Sequence, residues 1–168
     1  MTYPAAVITI SDRAVADPAE DRAAPIVAEG IEARGHQVVV RDVVANTKEA
    51  ARDALTCAIE AGARIIFTVG STGFGPADIA EDVTREFIDF ELPGLLEEVR
   101  RRGAEHQPVA LLSRGVVGII REPSPVLVIN SPGTRGGARD VLDVVADLLD
   151  YIMMHLDGGT CRPPLVTR

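Results

Sequence analysis

Arg64–Val69 is an almost uninterrupted apolar run, and Gly70-Ser71-Thr72-Gly73-Phe74-Gly75 follows it directly. A strand apolar on both faces must be covered on both sides, the condition of a central strand in a parallel sheet between layers of helix. The glycines then fall at the carboxyl end of that strand, where open α/β sheets gather their ligands.

The rest of the chain repeats the alternation. Ala5–Ile10 reads as a buried first strand ending in the polar turn Ser11-Asp12-Arg13, and Gln37–Val44 as the second strand. A helix is predicted between them over 21–34, with Pro25 in its first turn and Gly35 as its stop. Asn46 and Glu49 stand at capping-box spacing, so the next helix is predicted to start with Asn46 as cap and to end at Ala61, before Gly62. Helical pattern resumes over 82–87 and from Gly94 to Arg102. Val116–Arg121 and Val126–Asn130 read as strands around the turn 122–125. The last helix, 137–156, places Val141, Val144, Val145, Leu148 and Ile152 on one stripe; Asp140, Asp143, Asp147 and Asp150 form the opposite, solvated face. The fold class implied is α/β, a three-layer α/β/α arrangement around an open, mostly parallel sheet. A length of 168 residues suits one core, with the domain expected over 1–158 and a tail over 159–168.

A formal net charge of -8 argues against a nucleic-acid partner, which requires clustered Lys and Arg. Arg100-Arg101-Arg102 reads as a complement to the carboxyl end of a helix dipole. No run approaches the roughly 20 apolar residues of a membrane span, and Met1-Thr2-Tyr3-Pro4 lacks the basic start of a signal peptide. The expectation is a cytoplasmic protein without a membrane partner. Cys57 and Cys161 make no CxxC pair, and His36, His106 and His155 have no metal-ligand spacing, so neither a disulfide nor a zinc site is expected.

Three segments that follow strands carry residues suited to anions. In Gly70-Ser71-Thr72-Gly73, glycines let backbone N–H groups approach a phosphate while two hydroxyls add donors. Ser113-Arg114-Gly115 sets a hydroxyl and a guanidinium beside a hinge, and Pro132-Gly133-Thr134 lies in the glycine-rich stretch 130–137. Asp78 and Asp82 are four residues apart and would share a helix face; two carboxylates near a triphosphate commonly hold magnesium. Asp78-Ile79-Ala80-Glu81 is also a capping pattern, worth about 1 kcal/mol, and the two roles are compatible. There is no Gly-Lys-Ser/Thr phosphate loop and no Gly-x-Ser-x-Gly elbow, and a dinucleotide fingerprint would follow the first strand rather than the third.

Gly70–Gly75 with Pro76-Ala77-Asp78, continued by Asp82-Val83-Thr84 and Leu92-Pro93-Gly94, resembles the Gly-Gly-Thr-Gly…Asp stretch of the MogA/MoaB family of molybdenum cofactor biosynthesis proteins. Leu112-Ser113-Arg114-Gly115, the 130–137 loop and Ser11-Asp12 with Asp21 resemble that family's other segments, so the likeness runs along nearly the whole chain. The resemblance implies a molybdopterin-binding-like fold and a homotrimer. It also implies adenylyl transfer, in which the terminal phosphate of molybdopterin attacks the α-phosphorus of ATP and releases pyrophosphate. By the same likeness Gly70, Ser71, Thr72, Gly73, Ser113, Arg114, Pro132, Gly133 and Thr134 would bind substrate. Asp78 and Asp82 would be catalytic, and Asp78 with Asn46 would hold Mg2+ beside the substrates ATP and molybdopterin.

The chain departs from the family pattern at three places. Ser71 stands where glycine is usual, which costs roughly 1 kcal/mol if the position needs positive φ. Asn46 replaces an aspartate, leaving Asp42 or Glu49 to compensate, and restoring Asp there is expected to raise activity or tighten magnesium binding. Ala23-Ala24 replaces a hydroxyl-bearing pair. Three readings result: an adenylyltransferase, a MoaB-like protein that binds molybdopterin without transfer chemistry, or a nucleotide-binding module unrelated to pterins.

Overall fold

A computed structural model describes residues 1–160; Cys161 and most of the expected tail lie outside the described residues. The strands are β1 (Pro4–Ile10), β2 (Gln37–Val44), β3 (Ile65–Val69), β4 (Phe90–Glu91), β5 (Val117–Ile120) and β6 (Val126–Ser131). They form one six-stranded sheet in the order β2-β1-β3-β6-β5-β4. The pairs β1–β2, β1–β3 and β3–β6 are parallel, whereas β5 runs antiparallel to both of its neighbours. The mostly parallel sheet expected from the apolar runs is therefore present, with one antiparallel strand, β5, between β6 and the short edge strand β4.

Among the described residues seven α-helices flank it: α1 (Asp12–Ala16), α2 (Ala24–Glu32), α3 (Lys48–Glu60), α4 (Ala80–Phe87), α5 (Pro93–Ala104), α6 (Arg135–Val145) and α7 (Leu149–Leu156). Because strand side chains alternate between faces, successive residues of β1 and β3 enter two separate cores. Ala5, Val7, Ile65 and Phe67 pack with α2, α5, α6 and α7, while Ala6, Ile8 and Ile66 pack with α3 and α4. This is the three-layer arrangement.

Helix starts differ from the sequence reading for local reasons. Ser11 accepts a hydrogen bond from the Ala14 amide at 3.2 Å and so caps a short helix, α1, where only a polar turn was expected. The helix predicted over 21–34 begins at Ala24, because Asp21 stays outside it, accepting from the Ala24 amide at 3.3 Å and from the Thr9 hydroxyl at 2.8 Å. Thr47, not Asn46, caps α3 by accepting from Ala50 N–H at 3.2 Å. Asp78 is not the cap of α4: that position is Ile79, with no side-chain bond. The last helix breaks into α6 and α7 around a 3-10 turn at Ala146–Leu148. Its buried stripe continues from Val145 to Leu149 and Met153, an i, i+4 series, leaving Leu148 and Ile152 half-buried. No helix among the described residues is long and apolar enough to cross a membrane.

One buried group ties the two ends of the chain together. The His36 side chain is 1% exposed; its Nδ1 accepts from Tyr3 N–H at 3.4 Å and its Nε2 lies 3.9 Å from Asp150 of α7. Burial lowers its pKa from the ordinary 6.5, and Asp150 opposes the shift only in part. A depressed folded-state pKa means that this stability is fully present above about pH 6.5 and lost as pH falls through the lower folded value. The ion-paired acids titrate further down, Glu98 at about 2 under the hydrogen bonds of Arg101 and Arg102. The urea midpoint is thus expected to fall between pH 7.5 and 5.5, and to fall less in His36→Gln; parallel slopes in the two proteins would remove His36 as the cause.

Candidate active site

The chain crosses from β1 to β2 on one side and returns past β1 to β3 on the other, so the loops after β1 and β3 diverge at a topological switch point. Gly70 and Ser71 begin the loop after β3. Gly70 has φ 97°, and a Cβ there would lie 2.8 Å from the Ile10 carbonyl oxygen, so only glycine lets the two loops approach this closely. Ser71 has φ 55°, the left-handed conformation in which glycine is the unstrained residue. The serine at this position is held there by three bonds. Its Oγ donates to Asn46 Oδ1 at 2.7 Å and accepts from Ile79 N–H at 2.8 Å, and its carbonyl accepts from Ala80 N–H at 3.1 Å.

Two cavities open at this end of the sheet. The smaller, 450 Å³, is bounded by Gly70–Gly73, Asn46 and Asp78 on one side and by Pro132–Thr134 on the other, with Asp12 and Asp21 on its rim. The larger, 590 Å³, lies over α5 and α6 and is mostly apolar, with Leu96, Val99, Leu112 and Ser113 in its wall. Thr72, Gly73, Pro132 and Thr134 line both, so the two are lobes of one site. At their junction α6 begins, with Thr134 as its cap accepting from Gly137 N–H at 3.1 Å. The free N–H groups of that helix end favour an anion there.

Asp78 Oδ2 accepts from Gly75 N–H at 2.9 Å. A Cβ on Gly73 would come within 2.5 Å of the same oxygen, so glycine at 73 makes room for the carboxylate. Asn46 is braced by three bonds: its side-chain amide donates to the Ala77 carbonyl at 2.9 Å, its Oδ1 accepts from Ser71, and its backbone N–H donates to Asp12 Oδ1 at 2.8 Å.

The residues singled out from the sequence therefore divide. Gly70–Gly73, Asp78, Asn46 and Pro132–Thr134 converge on the smaller lobe, and Ser113 lines the larger. Asp82 and Arg114 line neither; they pair with each other at 2.6 Å, Arg114 also contacts Glu81, and Lys48 reaches Asp82 at 3.2 Å. The Arg114 guanidinium and then Lys48 hold the Asp82 carboxyl below the usual range. Asp42 and Glu49, the candidates to compensate for Asn46, also lie outside both lobes, as do Ala23 and Ala24, which are buried.

Four contributors were not singled out as site residues from the sequence. Asp12 and Asp21 supply carboxylates to the smaller lobe. Arg100 lines the larger lobe and donates to the Ser113 and Gly115 carbonyls at 3.2 Å, while Arg101 and Arg102 pair with Glu98. Asn130 is buried and donates to Thr68 and Thr84 at 2.8 Å while accepting from Val116 N–H, which pins β6 to β3, α4 and the approach to β5. Its position at the start of a glycine-rich loop was the only signal.

Comparison with known proteins follows the same lines. The family model described as a probable molybdopterin binding domain matches residues 6–151. A molybdopterin adenylyltransferase from Pyrococcus furiosus is 30% identical over 156 residues, 92% of this chain and 91% of that protein. Among solved structures, the Mog protein of molybdopterin biosynthesis from Mycobacterium ulcerans is 36% identical over 94% of this chain and 99% of that one, with a TM-score of 0.83. The tungsten cofactor synthesizing protein MoaB from Pyrococcus furiosus is 28% identical over 92% of this chain and 97% of that one, with a TM-score of 0.85. The chain spans a quarter of another relative, the molybdenum cofactor synthesis protein cinnamon of Drosophila melanogaster, and about half of two bacterial bifunctional proteins of molybdenum cofactor biosynthesis. From the family match along most of its length, and from the loops that the match covers, the chain belongs to the MogA/MoaB family of molybdenum cofactor biosynthesis proteins.

Proposed function

We propose that this chain transfers the adenylyl group of ATP to the terminal phosphate of molybdopterin. The observation that carries the reading is the two-lobed site: a mostly apolar lobe suited to a ring system and a polar lobe suited to a nucleotide meet at Thr72-Gly73 and Pro132–Thr134. An oxygen of the molybdopterin phosphate forms a bond to the α-phosphorus as the bond to pyrophosphate breaks. Such a reaction needs alignment and charge neutralisation more than covalent help. Backbone N–H groups around Gly70–Gly73 and at the start of α6 orient the phosphates.

Mg2+ fits this site in one mode. No group of three or more His, Cys, Asp or Glu among the described residues could hold a metal alone, but magnesium bound to a nucleotide takes only one or two protein carboxylates. Asp78 has an oxygen left after its bond to Gly75, whereas the single side-chain oxygen of Asn46 already accepts from Ser71 and carries no charge. Bound there, the ion would neutralise charge on the phosphates.

Asn46, uncharged and tied to Ala77 and Ser71, favours a second reading, a MoaB-like protein that binds molybdopterin without transfer. Single-turnover transfer with the purified protein, molybdopterin, ATP and magnesium separates the two. Adenylated molybdopterin and pyrophosphate in equal amounts support the enzyme; tight molybdopterin binding with neither product supports the binder. We propose further that the protein is cytoplasmic and homotrimeric; the family likeness supports both, and the exposed apolar side chains of Val109, Leu111 and Leu112, at the larger lobe, support a contact between copies.

A further inference from the structure

Asp140 departs from the acidic row to which its spacing assigns it. Asp143, Asp147 and Asp150 of that row are exposed, whereas Asp140 is half-buried and lines the larger lobe. The cavity reaches it because α5 carries Gly103 where it crosses α6: a Cβ at that position would already lie 3.2 Å from Asp140 Oδ2. Among the described residues no salt bridge or side-chain hydrogen bond engages this carboxylate; Arg102, on the neighbouring helix, is turned to Glu98. Burial raises its pKa, an effect that His106 offsets only in part. A carboxylate left without a partner in a mostly apolar cavity is costly, and a ligand that supplies donors removes that cost.

We propose that Asp140 recognises the amino-pyrimidinone edge of the pterin ring, accepting hydrogen bonds from N3–H and from the 2-amino group. The assignment rests on reading the larger lobe as the pterin lobe. Two parallel N–H donors on a planar edge match the two oxygens of a carboxylate as a guanidinium does, and such two-point pairs are both strong and selective. The placement along α6 is consistent with it: six residues separate the cap Thr134 from Asp140, about 9 Å of helix rise. A phosphate at the helix start and a ring at Asp140 would then belong to one extended ligand. Asp140 is a specificity residue in this arrangement and takes no part in the transfer itself.

The probes are 6-hydroxymethylpterin phosphate and the corresponding lumazine, which carries an oxygen in place of the 2-amino group and would turn it against the carboxylate. Binding is read by quenching of ring fluorescence in the unaltered protein, Asp140→Asn, Asp140→Ala and the exposed-face control Asp143→Asn, each checked for folding by its melting temperature. The unaltered protein and the control are expected to prefer the pterin by about 10- to 100-fold, the range for a charge-assisted pair, and both Asp140 variants to lose most of that preference. Pterin binding and discrimination that Asp140→Ala leaves within twofold overturn the assignment while leaving the reading of the lobe in place. Failure of the unaltered protein to bind the pterin overturns both.

Discussion

Asp78→Asn is expected to lower single-turnover adenylyl transfer by about 100-fold or more, the usual consequence of removing one preorganised charged group from a site of charge redistribution. The fold should tolerate the change. Asparagine keeps a side-chain oxygen to accept from Gly75 N–H, and it is close in size to the carboxylate that faces Gly73. Because Asp78 does not cap α4, no helix end is lost, and the stability change should stay within about 0.5 kcal/mol. Asp82→Asn makes the contrast. Its carboxylate binds Arg114 and Lys48 outside both lobes, so its loss should leave the transfer rate within about threefold, given how little exposed pairs contribute. A large fall in melting temperature for Asp78→Asn, or equal rate losses in the two variants, would return Asp78 to a structural role.

The layers of this fold are legible in the sequence because fully buried strands such as β3 must be apolar nearly throughout, and β2, although none of its residues is fully buried, falls on the predicted residues 37–44. Strand direction is less legible. Val117–Ile120 and Val126–Ser131 are buried at every position, so alternation could not mark β5 as the antiparallel member of the sheet. Helix caps were misplaced by one residue where a distant partner decided the matter: Asn46 matches a cap by spacing, but Ala77 and Ser71 draw its side chain away and leave the role to Thr47.

The site divides in the same way. The glycine loops could be read because positive φ and close backbone approach leave few residue choices, and Gly70 and Gly73 meet those conditions. Asp82 and Arg114 could not be read as partners, since they lie 32 positions apart and only the packing of α4 beneath the Ser113 segment joins them. Asp140 is the converse case. Helical spacing assigns a side chain to a face, but whether that face meets water or a cavity depended on Gly103 of another helix.

The same packing reverses the expectation for Asn46→Asp. Read from the sequence, this change restores a family carboxylate and should strengthen metal binding. In the structure, the side-chain amide of Asn46 donates to the Ala77 carbonyl at 2.9 Å. Aspartate would set an anionic oxygen against that carbonyl oxygen, one residue before Asp78, while its other oxygen still accepts from Ser71. Losing a donor and gaining a repulsion costs about 1–3 kcal/mol in a partly buried site. The loop can relieve that cost only by moving Ala77, and with it Asp78. Transfer is therefore expected to fall by about 10- to 100-fold, with faster hydrogen exchange at the Ile79 and Ala80 amides, both of which are bonded to Ser71. Ser71→Gly should loosen the Ile79 amide, which loses its side-chain acceptor, while removing the strain of φ 55°, so its net effect on melting temperature is expected to be small. Combined with Asn46→Asp it frees the loop to shift further, so the double variant should transfer no faster than Asn46→Asp alone. A rise in rate for Asn46→Asp by itself, with exchange at Ile79 unchanged, would make residue 46 a metal ligand in waiting and not a brace for the loop.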